Sequence, residues 1–304
     1  MTTLSIVIPT YERGEILLAT LEMLLTQDRL ADEVIVVDQT DYKASDPVAQ
    51  KLAELDLGKR IIWLRLTKPS IPHAMNIGLK TATSDTVLFL DDDISIGAGF
   101  VQAHLDAINE HECPAQVGCV LQPNENVVTR CANYVSDTGL LEDLNFQFNS
   151  DEPTLIRNCM AGNLLVRRDV ALACGGFDEN FDGAAYRFET EFCRRLSNFT
   201  GKRFYYAPAA KIDHLRVERG GTRQLADHLT SITPVHSSGD FYFAFRCGSI
   251  REALLYSTKR LFQSFVARFY LSKPWYLPVR AIAETRGLLK ALRLIKRGPR
   301  LLNN

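Results

Sequence analysis

Short runs of apolar and β-branched residues alternate with longer amphipathic stretches along the first 110 residues. Four runs have the length and composition of buried strands, and they are LSIVI at 4–8, EVIVV at 33–37, IIWLRL at 61–66 and VLFL at 87–90. Leucines at helical spacing lie between the first two runs, and two further helical patterns follow Pro47 and cover residues 73–82. Strands that alternate with helices predict a mostly parallel, doubly wound α/β sheet.

Polar residues follow three of these four runs. They are PTYE at 9–12, DQTD at 38–41 and DDD at 91–93. Ligands of a doubly wound sheet bind at the carboxyl ends of its strands, so we expect these segments to meet in one site of nucleotide size. The adjacent carboxylates of Asp91, Asp92 and Asp93 repel one another, and the arrangement therefore requires a cation or hydrogen-bond donors nearby.

Carboxylates at the end of a strand are hard oxygen ligands of the kind that hold Mg²⁺ or Mn²⁺ beside a diphosphate. A metal ion in this place would neutralise the charge of a leaving diphosphate. The alternative is a turn in which the acids cap the next helix or face water, because Asp-rich turns are common. The spacing of the triplet does not decide between these two interpretations.

The second half of the chain has a looser pattern. Residues 162–181 contain a short apolar strand, a helical piece and a Gly-Gly turn, and residues 211–223 form a polar, glycine-containing segment that we expect to be a loop. Residues 240–298 predict amphipathic helices that are broken at Pro274 and Pro278.

Charge also divides the chain. Residues 240–304 contain 13 Lys and Arg against 3 Asp and Glu, a net charge of +10, so that the preceding residues carry −11 of the total of −1. This basic region is either a solvated face or a surface for peripheral contact with an anionic membrane, where each Lys or Arg contributes ~1 kcal/mol. Aromatic residues such as Phe262, Phe269 and Trp275 interleave with the charges, as a helix at a membrane interface requires.

Composition narrows the remaining classes. The 304 residues are 46% hydrophobic and 23% charged, which is typical of a globular protein. Seven cysteines without a CxxC pair indicate reduced thiols in the cytoplasm rather than zinc ligands or disulfides. The N-terminal residues lack the features of a signal peptide, and no window approaches the ~20 apolar residues of a membrane span. No RNA-binding motif accompanies the basic region, so we expect no nucleic-acid partner.

Five segments, taken in order, resemble the family-2 glycosyltransferases of the GT-A fold, and they are SIVIPTYERG, EVIVVDQTD, HAMNIGL, the DDD triplet and GGFDENF. The resemblance runs from about residue 3 to about residue 223. It implies an inverting transfer of a sugar from a nucleotide diphosphate to a hydroxyl of a glycan or lipid-linked acceptor, in cell-surface polysaccharide biosynthesis. It also implies a Rossmann-like nucleotide-sugar half at 1–110, an acceptor and catalytic half at 111–238, and a C-terminal helical appendage at 239–304.

The resemblance assigns the nucleotide of the donor to the first two strand ends. The residues that would lie against the base are Pro9, Thr10, Tyr11 and Glu12, with the Tyr ring as a stacking face. The position after Asp38 is usually a second Asp that accepts the N3–H of uracil or thymine, which favours UDP- or dTDP-sugars. Here that position is Gln39, whose amide oxygen accepts the same bond but whose NH₂ could also donate to another base.

The same resemblance covers the diphosphate and its metal ion. This chain has Ser70 and Met75 where the family often has a glycine and an arginine, and it keeps Asn76. Without that arginine, more of the diphosphate charge is left to a metal ion. The resemblance implies that Asp91 and Asp92 contact the nucleotide-sugar and that Mn²⁺ or Mg²⁺ is held by Asp93 with help from Asp91 or His214.

Two arginines of the glycine-containing segment, Arg219 and Arg223, would add positive charge beside the diphosphate. The alternative for His214 is a loop histidine with no ligand role.

The general base comes from the segment FETEFCRR. The family has an acidic pair here, and Phe188 takes the place of the first acid and Glu189 the place of the second. Glu189 is therefore the candidate base that takes the proton of the acceptor hydroxyl. The alternative is that Glu189 and Glu191 only open a helix, where acids suit the helix dipole.

Two other functions stay open at this point. A non-catalytic nucleotide-sugar-binding protein would explain Phe188 and Met75, which replace family residues. A nucleotidyltransferase uses a related sheet, but PTYERG is a poor version of the Gly-rich loop that such enzymes place after the first strand.

Overall fold

A computed structural model describes residues 2–43, 45–129, 139–217, 219–221 and 229–302. The strands in these ranges are β1 (Leu4–Thr10), β2 (Glu33–Asp38), β3 (Ile62–Arg65), β4 (Thr86–Leu90), β5 (Ile94–Ile96), β6 (Ala115–Leu121), β7 (Thr154–Ile156), β8 (Asn163–Arg167) and β9 (Phe204–His214). The helices are α1 (Glu15–Leu25), α2 (Pro47–Leu57), α3 (Ile71–Thr81), α4 (Phe100–Glu110), α5 (Arg168–Ala173), α6 (Phe188–Thr200), α7 (Ser237–Cys247), α8 (Ile250–Phe265), α9 (Arg268–Ser272) and α10 (Leu277–Arg297).

The nine strands of the described residues form one sheet in the order β3-β2-β1-β4-β8-β6-β9-β5, and β7 pairs with the first residues of β9. Strands β1 to β4 are parallel, as their alternation with helices predicts. Strand β8 then enters antiparallel between β4 and β6, and β5 and β7 run antiparallel to β9. The half of the sheet that ends in the polar segments is therefore parallel, and the other half is mixed.

The pairing register separates the side chains of each strand onto two faces. Val7 is aligned with Ile35 and Phe89, and these residues pack with α3, α6 and α7 in one core. The neighbouring residue Ile6 packs with α1, α2 and α4 in a second core on the other face. A Cβ at Gly78 would lie only 2.2 Å from Cγ1 of Val7, so the glycine lets α3 lie directly on β1. Helices on both faces make this a doubly wound α/β sheet.

One loop prediction is wrong. Residues 211–214 belong to β9, where Ile212 is buried while Lys211 and Asp213 are exposed. This alternation suits a strand with one covered face, and the backbone is paired with β6 and β5. The proline at 278 lies in the first turn of α10, where its missing N–H costs nothing, and so it begins a helix rather than breaks one.

The helix α7 packs into the core of the sheet. Phe241 and Phe243 are fully buried in the same cluster as Phe192 of α6. The domain boundary expected near residue 238 stays a prediction, but the first helix beyond it shares a core with the residues before it. None of the described helices combines the length and the hydropathy that a membrane span needs.

A buried histidine joins α4 to two strands. His104 Nε2 lies 2.8 Å from Oδ1 of Asn163, and Gln116 Nε2 lies 2.8 Å from His104 Nδ1. These contacts fit a neutral ring that donates from Nε2 and accepts at Nδ1. Burial lowers the pKa of His104 to about 4, although the bond with Asn163 favours the charged form.

The replacement His104→Gln should reduce the sensitivity of the fold to acid. The unfolded chain binds a proton at this residue below pH ~6.5 and the folded protein does so only below about 4, so stability is lost as the pH falls through this window. We expect this residue to account for ~2 kcal/mol of the loss in unfolding free energy between pH 7 and pH 5. Urea unfolding at both pH values measures it. His111→Gln, at the end of the same helix, is the control and should keep the wild-type slope.

Candidate active site

The polar ends of β1, β2, β4 and β9 surround a cavity of about 420 Å³. Most of the predicted site residues line this cavity, and they are Pro9, Thr10, Tyr11, Gln39, Asp91, Asp92, Asp93, Glu189 and His214. The convergence follows from the parallel register, because the carboxyl ends of neighbouring parallel strands meet at one edge. Glu12, Asp38 and Asn76 do not belong to the lining.

Arg13 forms ion pairs with two of the carboxylates at the end of β4. Its Nε lies 3.0 Å from Oδ1 of Asp92, and its Nη2 lies 3.2 Å from Oδ2 of Asp93. His214 approaches the triplet from β9, with Nε2 at 3.1 Å from Oδ1 of Asp93 and 3.7 Å from Oδ2 of Asp91. Sequence reasoning missed Arg13, although its place in PTYERG, just beyond a strand adjacent to β4, was the available signal.

Burial and these partners set the ionisation of the triplet. Burial raises the pKa of Asp92 to about 7, against the opposing effect of the positive charge of Arg13. Burial would also raise the pKa of Asp93, but the contact with His214 and the charge of Arg13 bring that pKa below its usual value. The pKa of His214 is raised, because its contacts with Asp93 and Asp91 outweigh its burial. The end of β4 therefore carries both an easily protonated and a firmly ionised carboxyl group.

The segment after β9 closes over the start of α1. The backbone N–H of Val217 donates to Oδ2 of Asp93 at 3.0 Å, and Arg13 Nη1 donates to the carbonyl oxygen of Val217 at 2.9 Å. Gly220 has φ +86°, and a Cβ there would lie 2.4 Å from the carbonyl oxygen of Glu12, so both backbone angle and space require glycine.

The arginines of this segment, of which Arg219 and Arg223 were predicted to lie beside the site, occupy different positions. Arg219 accepts a bond from Arg13 through its carbonyl oxygen at 3.1 Å, and Arg216 lines the cavity. Arg223 lies outside the described residues.

The end of β2 forms another side of the cavity. Gln39 lines it, and its amide accepts from the backbone N–H of Ser70 at 2.5 Å and donates to the carbonyl oxygen of Thr10 at 3.3 Å. Asp38 is fully buried behind this position, where it accepts from the backbone N–H of Thr40 and from Nε1 of Trp63. Asp38 thus holds the turn that presents Gln39.

Asn76 has a structural set of partners. Its side chain accepts from the N–H of Phe177 at 2.8 Å and donates to the carbonyl oxygen of Phe177 and to Oε1 of Glu179. It therefore joins α3 to the GGFDE turn and is fully buried. Met75, its neighbour on α3, lines the cavity, as does Ile71 at the start of the helix.

The two glutamates at the start of α6 have different surroundings. Glu189 lines the cavity. Glu191 is 1% exposed, and both of its carboxylate oxygens accept from Arg195, each at 2.9 Å. Arg195 also donates to the carbonyl oxygens of Cys174 and Gly176, so the pair ties α6 to the Gly-Gly turn. Of the two candidates for the base, only Glu189 faces the space that a substrate could enter.

The chemistry of the triplet suits a divalent cation. Oδ1 of Asp93 is buried without a hydrogen-bond partner in the described residues, and only the His214 ring contact at 3.1 Å accompanies it. Carboxylates with an imidazole are donors that Mn²⁺ accepts. Within the described ranges, however, no three His, Cys, Asp or Glu side chains form a group that could hold a metal ion as they stand. A metal at Asp93 would therefore require local movement, above all of Arg13.

The site can be compared with known proteins. Residues 5–174 match the family model described as Glycosyl transferase family 2. The glucosyl-dolichyl phosphate glucuronosyltransferase of Haloferax volcanii is 24% identical over 216 residues, which cover 69% of this chain and 68% of that protein. The amylovoran biosynthesis glycosyltransferase AmsB of Erwinia amylovora is 32% identical over 130 residues, which cover 41% of this chain and 42% of that protein.

Solved structures share the fold. The crystal structure of S. aureus TarS 1–349 with UDP-GlcNAc has a TM-score of 0.64 at 18% identity and covers 95% of this chain and 81% of that one. The mannosyltransferase PcManGT from Pyrobaculum calidifontis, in complex with GDP-Man and Mn²⁺, has a TM-score of 0.56 at 16% identity and covers 96% of this chain and 86% of that one.

The replacement Arg13→Gln should destabilise the fold by ~3 kcal/mol, because it removes the cation beside the buried Asp92 and one of the two positive partners of Asp93. The loss should be greater at pH 8 than at pH 6. Asp92 has a raised pKa, so its ionised form, which needs Arg13, becomes the main form as the pH rises through about 7.

Urea unfolding in EDTA at the two pH values measures both effects. Arg29→Gln is the control, since it removes a surface pair with Asp32 and should change stability by less than ~1 kcal/mol. Equal stabilities of Arg13→Gln and the wild type at pH 8 would contradict the assignment of Arg13.

Proposed function

The chain belongs to glycosyl transferase family 2 and has the GT-A fold, and on this premise we propose that it is an inverting glycosyltransferase that uses a nucleotide-diphosphate sugar. The observation that carries the proposal is that Glu189, the aspartate triplet and the PTYE segment line one cavity. The cavity therefore joins a candidate base to the donors and acceptors that a nucleotide-sugar needs.

We assign the nucleotide to the side of the cavity formed by β1 and β2. Tyr11 offers its ring to the base, and Gln39 is held by Ser70 and Thr10 so that its amide keeps one orientation. An amide oxygen has two lone pairs, so Gln39 can accept the N3–H of uracil or thymine while it holds Ser70. We propose a UDP- or dTDP-sugar donor on this basis, with Pro9 and Thr10 against the same base.

The diphosphate would lie at the end of β4. The residues that would hold Mn²⁺ or Mg²⁺ are Asp93, Asp91 and His214. Such an ion, when bound, supplies positive charge to the leaving diphosphate. The PcManGT structure contains Mn²⁺, which supports this assignment by analogy. Arg13 is the chain's own cation in this place, and it is close enough to exchange its carboxylate partners for phosphate oxygens.

Glu189 is the proposed general base. Its carboxylate takes the proton of the acceptor hydroxyl while the hydroxyl oxygen forms a bond to the anomeric carbon and the bond from that carbon to the diphosphate breaks. Attack from the side opposite the diphosphate inverts the anomeric configuration. Phe188, which stands where the family has an acid, packs against Phe177 and forms an apolar wall beside Glu189.

The acceptor we propose is a glycan or a lipid-linked sugar of cell-surface polysaccharide biosynthesis, in the cytoplasm. The names of the Haloferax and Erwinia relatives support this class, since one concerns a dolichyl phosphate and the other the biosynthesis of amylovoran.

Peripheral contact with an anionic membrane would bring such an acceptor to the enzyme. On α10, Ile282 and Leu289 are 48% and 49% exposed and lie seven residues apart, on one side of the helix. Arg286 and Arg293 are exposed on the same helix, also seven residues apart. Trp275, just before α10, is 67% exposed. Apolar and basic side chains so interleaved are typical of a helix at a membrane surface.

The replacement Glu189→Gln tests the function. It keeps the shape of the side chain but cannot take a proton, so transfer should fall by ~10²–10⁴-fold while the binding of the donor hardly changes. The assay uses a panel of UDP-, dTDP- and GDP-sugars with Mn²⁺, and donor binding is measured by thermal shift. Asp93→Asn should weaken both donor binding and turnover, and EDTA should abolish the activity of the wild type.

The pair of glutamates supplies the contrast. Glu191→Gln should lower stability, because it removes the charge that faces Arg195. Any loss of transfer in this variant should accompany that loss of stability, whereas Glu189→Gln should lose transfer at unchanged stability. Full transfer by Glu189→Gln would exclude Glu189 as the base. Donor binding without transfer in the wild type would favour the non-catalytic binding protein, and transfer of a nucleotidyl group would favour the nucleotidyltransferase.

Membrane contact is tested with the full chain and vesicles of phosphatidylglycerol and phosphatidylcholine. The charge reversal Arg286→Glu with Arg293→Glu should weaken binding by at least ~10-fold, because each basic residue near the surface contributes ~1 kcal/mol. Binding should also weaken with rising salt. The matched control is Leu57→Ser on α2, an 83% exposed leucine whose loss should change nothing. Equal binding of vesicles by the wild type and all variants would contradict the proposed membrane contact.

A further inference from the structure

Glu189 follows a turn with a strained backbone. Ala185 has φ +49° and Arg187 has φ +72°, and both are residues with a side chain in the left-handed region. Each such residue costs roughly 1–2 kcal/mol and persists only when the surroundings hold it. Arg187 is the N-cap of α6, and its carbonyl oxygen accepts the first helical bond from Glu191 at 3.0 Å. The conformation of Arg187 therefore sets the direction in which the first turn of α6 presents Glu189.

The first turn of α7 packs against this strained turn. A Cβ at Gly239 would lie 2.2 Å from the carbonyl oxygen of Tyr186, so the glycine allows α7 to press directly on the backbone beside Arg187. The next residue, Asp240, accepts from Nε of Arg187 at 3.2 Å. Asp240 is 6% exposed. A buried carboxylate thus holds the one residue that determines the start of the catalytic helix.

Asp240 is itself fixed by α8 and α10. Tyr256 Oη donates to Oδ1 of Asp240 at 2.7 Å, and Nε of Arg260 donates to Oδ2 at 2.7 Å. Nη1 of Arg260 donates to Oε2 of Glu284 on α10, and Oε1 of Glu284 forms an ion pair with Nη2 of Arg280 at 2.6 Å. The region after residue 239 contains only three acids, and two of them lie in this network. Both carboxylate oxygens of Asp240 therefore accept hydrogen bonds, and a buried carboxylate satisfied in this way is held rigidly.

We infer that Asp240 is a positioning residue, which fixes Arg187 and through it the first turn of α6, so that Glu189 faces the cavity. The inference rests on the proposed function for its effect on catalysis, but the geometry that it describes can be tested without any activity. The basic C-terminal helices therefore have a role in the site, since they carry Asp240 and the side chains that fix it. These helices are distant from Glu189 in the sequence.

The experiment compares three variants of the full chain. Asp240→Asn and Arg187→Gln each break the contact between α7 and the strained turn. Glu284→Gln is the matched control, because it breaks a buried ion pair of the same network without touching Arg187. All three should lose stability, so stability alone does not decide the outcome.

The deciding measurement is hydrogen exchange in residues 183–191, read by mass spectrometry. Exchange there should rise by about tenfold or more in Asp240→Asn and Arg187→Gln, and it should stay at the wild-type rate in Glu284→Gln. In the transfer assay, the first two variants should lose about tenfold in kcat with an unchanged KM for the donor, because the base is displaced and the nucleotide site is not. The double variant Asp240→Asn with Arg187→Gln should lose no more kcat than either single variant.

Unchanged exchange in Asp240→Asn would overturn the inference, and so would a loss of kcat in Glu284→Gln equal to that in Asp240→Asn. If Asp240→Asn does not fold, Arg187→Gln, which changes a partly exposed side chain, decides on the same measurements. If the wild type transfers no sugar while exchange rises only in Asp240→Asn and Arg187→Gln, the proposed function fails but the positioning of the turn by Asp240 stands.

Discussion

Two buried carboxylates side by side at the end of β4 are the constraint on which the candidate site depends. Such a pair needs positive charge, and the fold supplies it from two directions that are far apart in the sequence, Arg13 beyond β1 and His214 at the end of β9. The segment after β9 then closes over Arg13 by bonds to its own carbonyl oxygens. The neutralisation of the triplet therefore depends on residues that follow β1 and end β9, the first and the last of the described strands along the sequence. A site that binds a diphosphate benefits from the same arrangement, because its cations are already held in place.

The parallel half of the fold could be predicted from the sequence, because β1, β2 and β4 are buried on both faces and read as continuous apolar runs. The last residues of β9 could not, since Lys211 and Asp213 face solvent and give the segment the composition of a loop. Their strand state comes from pairing with β6 and β5, which are distant partners that no local pattern reports.

The candidate site was predictable to the extent that the strand ends are polar. Those residues meet because the register of parallel strands brings their ends together, and that follows from the element order. Arg13 was missed because its role depends on the reach of a long side chain across to the neighbouring strand. Asp38 and Asn76 were expected beside the donor, and each is instead engaged with nearby backbone groups. The different surroundings of Glu189 and Glu191 also needed the structure, because spacing does not reveal that Arg195 is engaged by Glu191.

The C-terminal residues return to the centre of the molecule. Leu302 donates its N–H to the carbonyl oxygen of Gly175, and Arg300 donates its own to Oδ1 of Asp178 in the GGFDE turn. During synthesis the N-terminal strands leave the ribosome first and can pair early. The turn that holds α3, however, waits for Arg300, 122 positions after Asp178, and the first turn of α6 waits for Asp240, 53 positions after Arg187. The parallel strands can therefore pair in the nascent chain before the residues that hold the candidate site have been synthesised.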